Sequence, residues 1–284
     1  MALNFKKYHG LGNDFIILDR REEGKPLDLP LVKKLCDRHF GIGADGILSL
    51  LPPVSKEGEF YMHIANSDGS IAEMCGNGIR CFVNYLYDLG LIESPEVKID
   101  TDAGIMKCRF EGYDERGGFT VTVNMGMARF SALNLPREEF LEEEMLKLAV
   151  AERIYNATPV SMGNPHAVIF TEQASASIAR GDGPKIEKNP LFPEGANIEF
   201  VKYRDERSAE VYVWERGAGI TLACGTGACA VAAAGVKRGL FKPGEEIRLK
   251  LPGGELYITV EEGFQNVFMR GPSEKVFEGV CYLT

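Results

Sequence analysis

The sequence predicts an α/β (α+β) chain of two similar domains, on three observations. Met74-Cys75-Gly76-Asn77-Gly78 and Ala223-Cys224-Gly225-Thr226-Gly227 are the same helix entrance written twice, a cysteine set before Gly-x-Gly. The two cysteines stand 149 residues apart, and so do Gly90 and Gly239, each of which closes the following helix in a Gly-Leu pair. Strand-like runs also recur in the same order around both helices. A chain of 284 residues is long enough for two cores.

Taken in order, Phe15 to Leu18 is a short apolar run after the glycine-rich His9 to Asn13 and predicts a buried strand. Leu29 to Phe40 predicts a helix, with Pro30 tolerated in its first turn and Gly41 just beyond its end. Ile79, Phe82, Val83, Leu86 and Leu89 keep helical spacing. The matching stretch Ala228 to Arg238 is nearly all alanine and valine, which predicts a buried helix at close packing distance. Its Lys237 and Arg238 lie where a helix C-terminus favours cations. Val97 to Asp100 and Ile247 to Lys250 read as strands, each followed by a glycine turn and a second strand, Ile105 to Phe110 and Leu256 to Val260. Upstream, Asn13 to Leu18 parallels Asn164 to Ile169, so the repeat is broader than the cysteine loops. Glu138 to Glu152 is expected as an acidic amphipathic helix near the domain junction.

A net charge of −9 argues against a general nucleic-acid binder. No apolar run is long enough to span a bilayer, so no membrane partner is expected. Met1 to Lys7 lacks the charged-then-apolar order of a secretory signal. Seven cysteines, an odd set in an unexported chain, predict reduced thiols, and the expected location is cytoplasmic.

The first residues of a helix carry N–H groups without intrahelical partners and a partial positive charge. A cysteine placed there is expected to have its thiolate favoured, and a carboxylate bound there meets ready donors. The glycines after the cysteine let a substrate approach the backbone closely. Two such elements acting on one carbon suit a racemase without cofactor: one thiolate removes the α-proton and the opposite thiol returns a proton on the other face. Cys36, Cys108 and Cys281 lack flanking glycines and read as apolar filler. Zinc binding by Cys75/Cys81 or Cys224/Cys229 is disfavoured, because the usual double set of closely spaced pairs is missing. Asp45 reads first as turn and N-cap chemistry. Asn13, Asn77 and Asn197, taken singly, are also consistent with turns.

His9 to Phe15, Asn66 to Gly78, Gly163 to His166, Glu215-Arg216-Gly217 and Ala223 to Ala228, in this order along essentially the whole chain, resemble the diaminopimelate epimerases. Either cysteine loop alone marks only the wider superfamily that includes proline racemases and phenazine-pathway isomerases. The resemblance implies two domains, each a curved, mostly antiparallel sheet wrapped around a central helix, with the active site between them. It sets their bounds at 1–126 with 272–284, and 127–271. It implies interconversion of LL- and meso-diaminopimelate, on the route to lysine and cell-wall precursors, with no cofactor and no metal, in a chain that is commonly a homodimer. Carried onto this sequence, Cys75 and Cys224 match the acid/base pair. Asn13, Asn66, Gly76, Asn77, Asn164, Asn197, Glu215, Arg216, Gly225 and Thr226 match the substrate-binding set, and His166 with Glu215 matches residues that tune the site electrostatically. Arg216 offers a planar fork to a remote carboxylate, and Glu215 can take an ammonium. Two positions depart from the pattern: Gly46, where some members carry glutamine, and Ile220, where many carry glutamate. Two other readings stay open here, a racemase of an amino acid with one α-centre, such as proline or histidine, and a binding homologue that has lost racemisation.

Overall fold

The computed structural model describes residues 2–115, 117–130 and 145–282. The chain divides into two compact units, Met1–Asn124 with Arg270–Thr284, and Met125–Met269.

The first unit runs β1 (Ala2–Gly10), β2 (Asn13–Asp19), α1 (Leu29–Cys36), β3 (Gly46–Leu51), β4 (Phe60–Asn66), β5 (Ile71–Ala72), α2 (Gly76–Asp88), β6 (Glu96–Thr101), β7 (Gly104–Tyr113) and β8 (Phe119–Asn124). β2 and β3 are parallel, as are β4 and β6. The β1/β2, β3/β4, β4/β5, β6/β7 and β7/β8 pairs are antiparallel. α2 packs on β1, β2 and β8 and is buried continuously from Gly76 to Leu86. A helix covered on all sides must satisfy its own polar groups. Asn84 does so by donating to Ser273 Oγ at 3.0 Å. Around α1, Ile16, Leu18, Val32, Leu35 and Ile47 form one apolar cluster, where each buried side chain contributes roughly 1.5–3 kcal/mol.

The second unit runs β9 (Leu146–Val150), β10 (Arg153–Ser161), β11 (Pro165–Phe170), α3 (Ala176–Glu187), β12 (Asn197–Asp205), β13 (Ser208–Glu215), β14 (Gly219–Ile220), α4 (Gly225–Lys237), β15 (Glu246–Leu251) and β16 (Gly254–Val260), and from β10 to β16 it repeats the order of the first unit from β1 to β7. β11 and β12 are parallel, as are β13 and β15, while β12/β13, β13/β14 and β15/β16 are antiparallel. α4 packs on β10, β11, β12 and β16. Its small residues allow the close approach: a Cβ at Gly235 would stand 2.1 Å from the Phe241 ring. β17 (Val267–Tyr282) begins in this unit, passes into the first at Arg270 and pairs antiparallel with β1. Each unit is thus a mostly antiparallel sheet with a central helix.

Three expectations are corrected. α1 ends at Cys36 rather than Phe40, because the Asp37 carboxylate accepts from the N–H groups of His39 (2.8 Å) and Phe40 (2.7 Å) and turns the chain outward. The acidic stretch expected as a helix from Glu138 to Glu152 ends in a strand: Leu146 to Val150 alternates buried and exposed residues and pairs with β10. The earlier part of that stretch, 138–144, lies outside the described residues. Asp45 caps no helix. It precedes β3, and its carboxylate accepts from Asn13 Nδ2 (2.8 Å) and Asp14 N–H (3.1 Å).

Candidate active site

Both cysteines cap their helices. Cys75, in an extended conformation (φ −141°, ψ 118°), is the N-cap of α2, and its Sγ accepts from Gly78 N–H at 3.4 Å. Cys224 (φ −117°, ψ 115°) caps α4 in the same way, with Gly227 N–H at 3.3 Å. This is N-cap chemistry performed by sulfur in place of a hydroxyl or carboxylate. Gly76-Asn77 and Gly225-Thr226 begin the first turn of the two helices, where backbone N–H groups have no acceptor within the helix.

In the first unit the structure brings Asn13, Cys75 and Asn77 together. Asn13 Oδ1 accepts from Asn77 Nδ2 at 3.2 Å and lies 3.7 Å from Cys75 Sγ. Asn66, at the end of β4, turns its amide to Ser70 Oγ at 2.9 Å. Gly46 pairs with Asn66 across β3/β4, and a Cβ there would stand 2.9 Å from Ala65 O, so a longer side chain at this position requires the strands to part.

In the second unit a denser cluster surrounds Cys224. Thr226 Oγ1 lies 3.6 Å from its sulfur and accepts from Asn164 Nδ2 at 3.3 Å. Asn164 Oδ1 meets His166 Nε2 at 3.0 Å, and His166 Nδ1 meets Glu199 Oε1 at 2.7 Å. Glu215, half-buried, accepts from Thr221 Oγ1, and burial pushes its carboxyl upward. Asn197 is held elsewhere. Its amide nitrogen donates to Pro165 O at 3.2 Å and its oxygen accepts from Arg216 N–H at 2.9 Å, an arrangement that sets the turn carrying Arg216. Arg216 itself is exposed, with Nη1 donating to Glu194 O at 3.3 Å. Ile220 pairs with Trp214 across β13/β14 and packs against the unit's apolar core.

The expectation of a favoured thiolate at both caps is corrected for Cys224. Burial pushes its thiol well up, neighbouring Glu215 and Glu199 add to this, and the Thr226 hydroxyl and Gly227 N–H offset only part of it. Cys36 and Cys108 are buried in apolar surroundings as expected, Cys36 with its thiol pushed up to about 11 by burial. Cys281 is partly buried against the core of the first unit.

Three residues at the site were not singled out from sequence. Arg80 is fully buried; it donates from Nη1 to Gly76 O (2.9 Å), from Nη2 to Asn77 Oδ1 (3.0 Å) and from Nε to Pro272 O (3.2 Å), clamping the first turn of α2. Glu199 is fully buried, and Thr221 holds Glu215. The available signal for Glu199 was a lone acid inside the apolar run Ile198 to Val201.

A duplicated sheet-and-helix unit, with a cysteine at the same helix entrance in each copy, is a fold this chain shares with solved epimerases and racemases. A hydroxyproline epimerase from Agrobacterium vitis shares this fold at a TM-score of 0.69 and 17% identity, over 99% of this chain and 91% of that one. Among sequences, the family model described as diaminopimelate epimerase matches residues 5–131 and 158–276. A diaminopimelate epimerase from Halothermothrix orenii is 44% identical over 284 residues, covering 98% of both chains. One from Trichodesmium erythraeum is 43% identical over 287 residues, covering 99% of both. The chain belongs to the diaminopimelate epimerase family.

Proposed function

We propose that this chain interconverts LL- and meso-2,6-diaminopimelate by proton transfer at one α-carbon, serving the synthesis of lysine and of peptidoglycan precursors. The observation that carries this reading is the pair of cysteine-capped helix entrances in a chain of this family. One sulfur, as thiolate, takes the α-proton; the other, as thiol, delivers a proton to the opposite face. The substrate's configuration decides which is which, so the pair exchanges roles between the two directions. The α-carboxylate gains charge as the proton leaves, and the amides of Gly76-Asn77 and Gly225-Thr226 are donors suited to it. Asn13, Asn66, Asn164 and Asn197 supply neutral donors and acceptors or hold the loops that do. Glu215 and the exposed Arg216 guanidinium suit the remote ammonium and carboxylate. This chemistry calls on no cofactor.

The substrate class is tested by incubating the protein in deuterated water with LL-diaminopimelate and, separately, with proline and histidine. Deuterium is expected at the α-carbon of diaminopimelate alone, and comparable incorporation into proline or histidine overturns the assignment.

The same reading makes the protein a cytoplasmic homodimer. Val276, Phe277, Val280 and Tyr282 are exposed apolar residues along β17, surface that a second copy could cover. Sedimentation velocity on the purified chain is expected to give a single species of twice the 31.3 kDa chain mass, and a monomer at micromolar concentration contradicts it.

A further inference from the structure

Equivalent positions in the two units carry different chemistry behind their cysteines. In the first, β2 and β3 pair Phe15 with Gly46, and Leu48 lies two residues further along. Both are buried apolar groups, 3.5 and 3.4 Å from where a Cβ on Gly78 would stand. In the second, β11 and β12 pair His166 with Asn197, and Glu199 lies two residues further along. Glu199 Oε1 takes the corresponding place, 2.8 Å from where a Cβ on Gly227 would stand. A phenylalanine and a leucine therefore fill in one unit the space that an imidazole and a carboxyl, both at 0% exposure, fill in the other. Packing alone does not call for that exchange, since a buried ionisable pair rarely stabilises more than an apolar pair of similar volume.

We infer that Glu199 is a positioning residue for the Cys224 thiol, acting through a one-directional chain of hydrogen bonds from Glu199 through His166, Asn164 and Thr226 to Sγ. The inference rests on Cys224 being an acid/base group. The direction follows from donor bookkeeping. Asn164 Nδ2 donates to Thr226 Oγ1, so Oδ1 is the atom that faces His166. An amide oxygen only accepts, so His166 Nε2 must carry a hydrogen. Glu199 fixes this tautomer when it donates to Nδ1 as an acid, and burial pushes its carboxyl in the direction that requires. With Oγ1 already accepting from Asn164, the Thr226 hydroxyl hydrogen is left for Sγ at 3.6 Å, where it stabilises the thiolate once the proton has gone. Without Glu199 the imidazole can take its other tautomer and Asn164 can turn over. Thr226 would then donate to Asn164 instead of to sulfur. The titratable groups that face Glu199 are His166 on β11, Glu215 at the end of β13 and Cys224 at the entrance to α4.

The test compares Glu199→Leu with Glu199→Gln, which can donate an amide hydrogen to Nδ1 and keep Nε2–H in place. Alkylation of each cysteine by iodoacetamide is followed against pH from the masses of the Cys224 and Cys75 peptides, Cys75 serving as internal reference. Glu199→Leu is expected to slow alkylation of Cys224 at a given pH by on the order of 10- to 100-fold, the loss of one hydrogen bond to a charged group, and to leave Cys75 unchanged. It should lower kcat by a similar factor with KM moved by less than about threefold, while Glu199→Gln stays within about threefold of the parent in every measure. The inference is overturned if Cys224 in Glu199→Leu reacts as in the parent or faster, if Cys75 slows in parallel, or if the glutamine variant falls as far as the leucine one. A slowed Cys224 in a protein that racemises no substrate upholds the chain of hydrogen bonds and overturns the catalytic assignment of Cys224 instead.

Discussion

Cys75→Ala and Cys224→Ala are each expected to lower kcat/KM for epimerisation by roughly 10³-fold, the usual worth of a positioned acid or base. The qualitative pattern is sharper than the magnitude. A chain left with one thiol can still remove the α-proton from the isomer whose proton faces that sulfur, and can return a solvent proton only to the same face. Each variant should therefore wash deuterium into one isomer without inverting it, and the two variants should choose opposite isomers. Measuring exchange and inversion separately, by mass and by chiral chromatography, decides the matter. Inversion at the parent rate by either variant would falsify the two-base mechanism. Folding should survive, since the lost cap hydrogen bonds, Gly78 N–H to Cys75 Sγ and Gly227 N–H to Cys224 Sγ, each cost about 1 kcal/mol.

The second large effect is on stability. Arg80→Leu should destabilise the protein by roughly 3–5 kcal/mol, because it takes the donor from Gly76 O, Asn77 Oδ1 and Pro272 O inside a fully buried site. Arg80→Lys should recover only part of this, since a lysine places a point charge where a planar fork spans three acceptors. Urea unfolding monitored by circular dichroism measures both, and a Leu variant within about 0.5 kcal/mol of the parent, the range of an ordinary surface change, would show the clamp to be dispensable. The loss reaches the site as well. Asn77, oriented by Arg80, donates to Asn13, whose oxygen lies beside Cys75.

The legible parts of this molecule are those whose causes are local. The two helices could be placed because an apolar stripe, a glycine stop and a capping residue all lie within a few turns of one another. The repeated entrances at Cys75 and Cys224 could be read for the same reason, and the cap bonds close over only three residues. α1 stops short of the expected Phe40 because the aspartate turn at Asp37 competes with a helical pattern that continues to Phe40. The strand at Leu146 to Val150 was hidden by the run of acids before it, whose charge pattern reads as a helix face.

By itself, then, the sequence determined the duplication, the two cysteine-capped helices and the family, since these rest on residue identity and short-range spacing. Only the tertiary structure decided how the two copies differ. His166 meets Glu199 across 33 residues and Arg80 meets Pro272 across 192, contacts created by strand register and by the return of β17. Nothing near Glu199 in the chain announces that it will lie behind Cys224. The parallel pairing of β11 with β12 puts it there, and the missing side chain of Gly227 makes the room. The physical reason is that a hydrogen bond to a buried group depends on where the backbone brings its partner, and backbone register is settled by the burial of the whole sheet.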